Sequence, residues 1–335
     1  MPAKKTATVI WAREVKLNQF LAKELGSEVI ISHKKKIGTF DLPAPFRYVW
    51  QSFDTYRKLR AIKPDAVLVM NPPIVAPFIV YIYCLFNKSR FIIDTHTAGF
   101  LDFKWNLFHP IHRFLARRAI LNTVHNYRNL EVLERWGIRN GYVLPFCNPK
   151  KEEIYPQEKI VFDERIEEAL RQTGMKVFMV NRFAGDDAWQ EAIETARLMP
   201  EAIFFITGDN RKASIGDIPE NVIMTGYLEH AKFIKLMDLS DVILALTKRK
   251  DTVLWSVREI MALRKPFVTT DNDVLRRYYG EVGIFTTMEP SDMREQILEA
   301  REKATEISHR MDKFLREDSA RWNKDIMHIR RVISP

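Results

Sequence analysis

Two carboxylates stand eight residues apart in KRKDTVLWSVREIMALRKP, residues 248–266. They are Asp251 and Glu259, and Lys248, Arg249 and Lys250 immediately precede the first. Asp251 falls in the loop after an apolar run, DVILALT, and Glu259 in the first turns of a helical pattern. A carboxylate so placed can accept two hydrogen bonds from the vicinal hydroxyls of a ribose, as acidic residues do in other doubly wound α/β folds. Ser256 and Glu259 also have the spacing of a capping box, in which the acid bonds the backbone at the helix start. A cap has no use for the second acid eight residues upstream, and this favours a ligand site.

Cations follow the other apolar runs of this half. Arg182 comes directly after KVFMVN, Arg211 and Lys212 after FFITGDN, and Lys248 and Arg249 after DVILALT. A guanidinium grips a diphosphate through two parallel hydrogen bonds, so Arg182 is the strongest candidate; any one loop cation is equally at home simply solvated. Glycine is scarce, 12 residues in 335, where about 7% is usual. Neither GxGxxG nor GxxxxGK[ST] occurs. A dinucleotide oxidoreductase or a P-loop enzyme needs such a loop for close backbone approach to phosphate, so both are disfavoured, and a phosphate would have to be met by helix N-termini and basic side chains.

The elements that position these residues alternate. Strand patterns at 7–12, 28–32, 66–70, 90–94, 120–124 and 141–145 are separated by helical patterns at 16–25, 47–61, from about 76, 110–118 and 129–136. A stretch rich in proline and charge, CNPKKEEIYPQEK (147–159), reads as a linker. Alternation then resumes, with strands at 176–180, 202–207, 221–225, 241–246, 266–270 and 283–287 and a helix at 189–198. From Ser291 to Ser334 the pattern is helical, with an interruption expected near His309–Met311. Such alternation predicts parallel sheets with helices on both faces. The expected class is α/β, two Rossmann-like doubly wound domains facing a cleft, with ligands at the carboxyl ends of the strands.

Bulk properties agree with a chain of about two domains: 46% hydrophobic and 28% charged residues. Residues 66–86 are nearly uncharged and about long enough to span a bilayer, but Asn71-Pro72-Pro73 and Pro77 predict a strand, a turn and a buried helix instead. Cys84 and Cys147 have no metal-ligand spacing and suggest a reducing, cytoplasmic setting. The net charge of +9 is uneven: residues 1–150 carry 23 basic and 10 acidic residues, the remainder 29 and 33. A basic front half attracts nucleic acid, anionic membrane or phosphorylated ligands. Lys34-Lys35-Lys36, with Phe40, Phe46 and Trp50 nearby, could touch an anionic membrane surface or form a solvated loop. No RNA- or DNA-binding module is recognisable, and no nucleic-acid partner is expected.

The D-x7-E spacing, the helix Glu259-Ile260-Met261-Ala262 and the continuation KPFVTTDNDVLRRYYGEVGIFT resemble the C-terminal half of GT-B glycosyltransferases, in particular glycosyltransferase family 4. VNRFAGDDAWQEAIETARLMPEAIFFITGD and NVIMTGYLEHAKFIKLMDLSDVILALT are similar to other segments of that half. The resemblance implies the GT-B fold, with an acceptor-side domain over 1–148, a nucleotide-sugar domain over 149–308 and a helix over 309–335, containing Trp322, that crosses back. It implies transfer of a sugar from a nucleotide-sugar donor to a glycan or lipid-linked acceptor, with retention of configuration, by a cytoplasmic enzyme that can be peripheral on a membrane. No metal and no cofactor is expected, the nucleotide-sugar being a substrate. Asp271-Asn272-Asp273 has the spacing of a metal motif but reads as a helix cap.

By position, Arg182 would hold the diphosphate, Glu259 the ribose, Asp251 the transferred sugar, Gly226 and Tyr227 the base, and His96 in IIDTHTAGF the sugar or its phosphate. Arg211, Lys212, Lys248, Arg249 and Thr252 complete the donor-binding set. The sequence departs from the family pattern: Asp251 replaces a glutamate, Asp187 a lysine and Arg264 a glycine, and Trp11-Ala12-Arg13-Glu14 stands where a glycine pair is usual. The Asp187 departure raises a non-catalytic nucleotide-sugar-binding subunit as an alternative. A nucleotide-sugar epimerase of the same architecture is another, but would lack this D-x7-E context.

Overall fold

Segments such as TATVI (6–10) and AVLVMN (66–71) carry no charge, and every residue in them is buried, as strands covered on both faces require. The computed structural model of the chain describes residues 4–12, 16–33, 36–37, 40–41, 43–145 and 148–334. Its strands are β1 (Thr6–Ile10), β2 (Glu28–Ile31), β3 (Lys36–Ile37), β4 (Phe40–Asp41), β5 (Ala66–Asn71), β6 (Arg90–Thr95), β7 (Leu121–Val124), β8 (Gly141–Val143), β9 (Lys176–Met179), β10 (Ile203–Thr207), β11 (Val222–Gly226), β12 (Val242–Ala245), β13 (Phe267–Thr270) and β14 (Ile284–Thr286). The chain divides into two compact units, one formed by Met1–Phe146 with Arg321–Pro335 and the other by Cys147–Ala320.

Each unit holds one six-stranded sheet. The orders are β2-β1-β5-β6-β7-β8 and β11-β10-β9-β12-β13-β14, and every pairing in both sheets is parallel. β3 and β4 form a separate antiparallel pair. Parallel neighbours need crossover connections, and helices supply them. Strand order reverses between β1 and β5 in the first sheet and between β9 and β12 in the second. Loops leave such reversal points in opposite directions and open a crevice at the strand ends.

Local chemistry explains where the helices begin and end. Asn126 accepts from the Asn129 amide, Asp163 from Ile166 and Asn272 from Leu275, each capping the helix that follows. Asp271-Asn272-Asp273 is therefore a helix start, as its sequence suggested. The helix Val75–Phe86 occupies the apolar stretch after Asn71-Pro72-Pro73, and no helix among the described residues is long and apolar enough to cross a membrane. Cys84 is a half-buried free thiol, and Cys147 lies outside the described residues.

One expectation needs correction. The helical tail is not interrupted near His309–Met311; helices Pro290–Glu302 and Ala304–Ile333 meet at Lys303, which has φ −88° and ψ 12°. No glycine or proline breaks the 309–311 stretch, Met311 is fully buried, and Arg310 reaches back to Glu306 at 3.8 Å, so helix continues through it. The stretch read as a linker follows the boundary between the two units, and its described residues, 148–159, are structured. It contains the helix Lys151–Ile154, and the Tyr155 hydroxyl donates to Asp238 at 2.9 Å while accepting from Lys235 at 2.7 Å, which anchors it to the second unit.

Arg264 occupies the position where a glycine was expected. It adopts φ +60°, at a cost of roughly 1 kcal/mol for a side-chain-bearing residue. Its guanidinium offsets part of this by donating to the Ala262 carbonyl at 2.8 Å and to Asp312 at 2.7 Å, closing carbonyls that a helix end leaves open.

Each unit holds a buried polar centre whose contribution to stability can be measured. In the second unit Arg258 is fully buried, and its guanidinium donates at 3.0 Å to both Asn148 and Asp318. Arg258→Ala takes this cation away from a buried carboxylate and should destabilise the protein by about 3–5 kcal/mol. The expected readout is a lower urea midpoint, partly recovered when Asp318→Leu is added. In the first unit the His112 Nε2 atom lies 3.3 Å from Asn71 Nδ2 and 3.2 Å from Thr95 Oγ1, and both groups can donate to its lone pair. Burial, then the nearby His109, lowers the His112 pKa to about 3 from the usual 6.5. Between those values the unfolded chain binds a proton that the folded chain refuses, so stability falls as pH falls. The His112→Gln variant should lose about 2 kcal/mol less than wild type between pH 7 and pH 5, measured by urea denaturation at both pH values.

Candidate functional site

In the second sheet the loops that leave the reversal point are stitched together by polar contacts. After β9, the Asn181 amide donates to the Thr207 hydroxyl at 3.1 Å and its side chain to the Thr207 carbonyl at 3.1 Å, tying that loop to the end of β10. Gly208 makes the crossing fit: it has φ +110°, and a Cβ there would lie 2.7 Å from the Asn181 carbonyl oxygen. The Asp187 carboxylate accepts from the backbone amides of Arg182 at 2.8 Å and Ala184 at 3.0 Å, folding residues 182–187 into a tight turn. Phe183 within it adopts φ +58°.

That turn gathers cations. The Arg182 guanidinium is 69% exposed and lies 3.4 Å from both Asp186 and Asp187. Arg249, from the loop after β12, reaches Asp186 at 3.0 Å. The Lys248 amide donates to the Asp186 carbonyl at 2.7 Å, and its ammonium pairs with Glu191 at 2.7 Å. Arg182, Lys248 and Arg249, proposed from separate stretches of sequence, are thus brought around Asp186 at the ends of β9 and β12. Asp187, which stands where a lysine was expected, shapes the backbone that carries Arg182.

Glu259 is 4% exposed on the helix Trp255–Ala262. The capping-box alternative fails here: the N-cap is Leu254, so Ser256 and Glu259 lie inside the helix, and no side-chain cap is made. Instead His230 Nε2–H donates to Glu259 Oε1 at 2.9 Å. His230 opens the helix His230–Leu239 and is half exposed. Asp251 is half-buried in the preceding loop, and the Thr252 hydroxyl beside it is shielded from solvent.

The remaining candidates of this unit lie further along the sheet. Gly226 ends β11 with φ +68°, and its carbonyl accepts from the Gly208 amide at 2.9 Å. Tyr227 follows it and is 80% exposed. Arg211 forms a two-point contact with Asp209 at 2.7 and 2.6 Å and is not part of the Asp186 cluster. The Lys212 side chain lies outside the described residues.

His96 belongs to the first unit, just beyond β6. Its Nε2 lies 3.1 Å from Asn18 Oδ1 and 3.4 Å from Asp94 Oδ2. Asp94 is fully buried, accepting from Asn18 Nδ2 at 2.7 Å and Thr123 Oγ1 at 2.6 Å. His125 Nδ1–H donates to the Leu144 carbonyl at 3.1 Å, and its Nε2 lies 3.5 Å from Asp94 Oδ1. Burial opposes ionisation of Asp94, but His125, His96 and Thr123 hold its carboxyl well below the usual carboxylate range. Burial pulls His125 down to about 4, against the attraction of Asp94. His96 is one-quarter exposed, so it alone of the three presents a ring edge to solvent beside a fixed negative charge. The lone acid inside RFIIDT, two residues before a histidine, was a sequence signal for this arrangement. Neither His125 nor His230 carried one, because their partners come from distant segments.

No protein-family model matches the sequence, and no curated protein matches it. Solved structures resemble it over its whole length at low identity. Sucrose-phosphate synthase from Thermosynechococcus elongatus superposes with a TM-score of 0.73 at 12% identity, covering 97% of this chain and 99% of that one. HepE of Anabaena, solved in complex with UDP-glucose, gives 0.71 at 13% identity, with 99% and 98% covered. A glycosyltransferase from Rickettsia africae gives 0.68 at 13% identity, with 98% and 99% covered. Identities this low establish architecture alone: the chain has the GT-B fold, with two six-stranded parallel sheets.

Proposed function

We propose that this protein is a glycosyltransferase that moves a sugar from a nucleotide-sugar donor to a glycan or lipid-linked acceptor. The observation that carries the reading is the gathering of Arg182, Lys248 and Arg249 at the β9/β12 reversal point, in the unit that also holds the nearly buried Glu259. A nucleoside diphosphate needs cations for its phosphates and a carboxylate for its ribose. The likeness in architecture to sucrose-phosphate synthase and to HepE with its UDP-glucose supports the same reading.

In this proposal Arg182 releases its long contacts to Asp186 and Asp187 and turns to the diphosphate, with Arg249, Lys248 and Lys250 adding positive charge. As the donor bond breaks, negative charge grows on the leaving diphosphate, and fixed cations stabilise it most at that moment. Glu259, oriented by His230, accepts hydrogen bonds from the ribose hydroxyls. Asp251 and Thr252 contact the transferred sugar, and Gly226 and Tyr227 border the base, with Arg211 and Lys212 beyond the end of the neighbouring β10. His96, backed by Asp94, is the first unit's candidate group for the sugar or its phosphate. The reading includes retention of configuration, chemistry without a metal, kinship with a divergent branch of glycosyltransferase family 4, and an acceptor met at an anionic membrane.

The test is nucleotide release over a panel of UDP-, GDP- and other sugar donors, with membrane extract as acceptor. Wild type should release one nucleotide selectively. Glu259→Ala should lower kcat/KM for that donor about a hundredfold, the equivalent of losing charge-assisted hydrogen bonds worth about 3 kcal/mol. Binding of a donor without release, when a matched acceptor is present, would identify a non-catalytic subunit instead. Conversion of the donor to its epimer without transfer would identify an epimerase.

A further inference from the structure

The first unit wears apolar side chains on the outside of three neighbouring helices. The helix Ala44–Ile62 exposes Phe46 (68%), Val49 (71%), Trp50 (37%) and Phe53 (71%). The spacing i, i+3, i+4, i+7 puts these four on one stripe, yet in a helix packed on a sheet such a stripe normally faces inward. Here the inward positions are taken by other residues, including Gln51, Thr55 and Leu59. The neighbouring helix Val75–Phe86 has no charged residue and exposes Phe78, Leu85 and Phe86. The next, His109–Ala116, exposes Ile111 and Phe114. The first packs against the second and the second against the third, and Tyr81 meets Phe114 edge-on at 5.6 Å. Isolated exposed apolar residues are ordinary, but exposed apolar residues recurring on three adjacent helices are of the kind that marks an interface.

The charge around the patch is predominantly positive. Between Ala44 and Arg118 there are eleven basic and four acidic residues. Two of those acids, Asp54 and Asp94, are buried. Arg57, Arg60, Lys88, Arg113 and Arg117 are exposed on or beside the three helices, and the Arg118 guanidinium lies over the Phe114 ring at 3.5 Å. Aromatic and aliphatic groups at the level of the headgroups, ringed by cations whose stems are themselves apolar, fit a bilayer interface. A protein partner has no comparable need for a surface almost free of exposed acid.

We propose that the outer face of helices Ala44–Ile62, Val75–Phe86 and His109–Ala116 inserts shallowly into an anionic lipid surface. This deepens the membrane element of the proposed function by naming the residues that would make the contact, and it stands whether or not the chain transfers sugar. Lys34 and Lys35 lie outside the described residues and are not needed for it.

Vesicle co-sedimentation of the full chain tests the proposal, comparing phosphatidylcholine vesicles with vesicles containing phosphatidylglycerol. Wild type should bind the anionic vesicles at least tenfold more strongly, and the difference should shrink with added salt. The triple variant Phe46→Ser, Val49→Ser, Phe53→Ser should lose at least tenfold in binding, with its circular dichroism unchanged because all three side chains are exposed. Arg57→Gln with Arg60→Gln should weaken binding to anionic vesicles and leave binding to neutral ones unchanged. No binding to anionic vesicles, or equal binding by the triple variant, would overturn the proposal. So would a dimer in sedimentation equilibrium that the triple variant dissociates, which would assign the face to a second copy of this chain. Nucleotide release with a water-soluble acceptor should be unchanged in the triple variant, so failure of the membrane proposal and failure of the transferase reading remain distinguishable.

Discussion

β9 and β12 lie side by side, and the chain leaves them in opposite directions. Past Lys176, which opens β9 at its far end, both strands are apolar and buried, so neither carries a charged group toward the end where the loops leave. Polar chemistry is pushed to the first residues past their ends, where backbone amides lose their sheet partners and side chains regain access to solvent. The turn of residues 182–187, the Lys248–Arg249 pair and the Asp186 carboxylate between them all follow from that constraint. In the first sheet Asp94 is the exception that depends on the same rule. It sits inside β6, and it remains charged there because Asn18, Thr123 and the two histidines surround it.

The acidic residues of the second unit act chiefly on backbone and on cations. Asp187 fixes two amides of the Arg182 turn, and Asp186 holds Arg182 and Arg249 within reach of one another. Without a counter-charge, three cations at the neighbouring ends of β9 and β12 would repel each other and spread into solvent. The acids, with Glu191 for Lys248, keep them collected, and the Arg182 contacts at 3.4 Å are the longest of the set, against 3.0 Å for Arg249 and 2.7 Å for Lys248.

Much of this was legible in the sequence, and the limits have physical causes. Apolar runs of four to six residues set the strands, because a parallel sheet needs its strands uninterrupted by charge. Arg182, Lys248 and Arg249 were recognisable because position after a strand is a local property. The His230–Glu259 contact was not, since it joins residues 29 apart that meet only when two helices are packed. The same holds for Asn18, Asp94 and His125, drawn from three elements. The capping box looked sound as a spacing, but it depended on where the helix starts, and the start lies at Trp255 rather than beyond Ser256. The break at Lys303 had no glycine or proline to announce it. The apolar stripe of the helix Ala44–Ile62 could be read as a periodicity, whereas the side it faces is decided by tertiary packing.

Arg258 and Glu259 are consecutive on one helix, yet the first is sealed into the interior against Asp318 and the second meets His230. A single turn of backbone therefore answers to two masters, the core of the unit and the neighbouring helix that begins at His230. Asp318 lies 59 residues downstream of Glu259, on a helix that no functional motif marks. In a genetic screen, lesions at Asp318 would segregate with those at Arg258 rather than with ordinary surface changes on the same helix. A map of intolerance along the sequence would show an isolated peak there, and its origin would be found in the residue next to the glutamate.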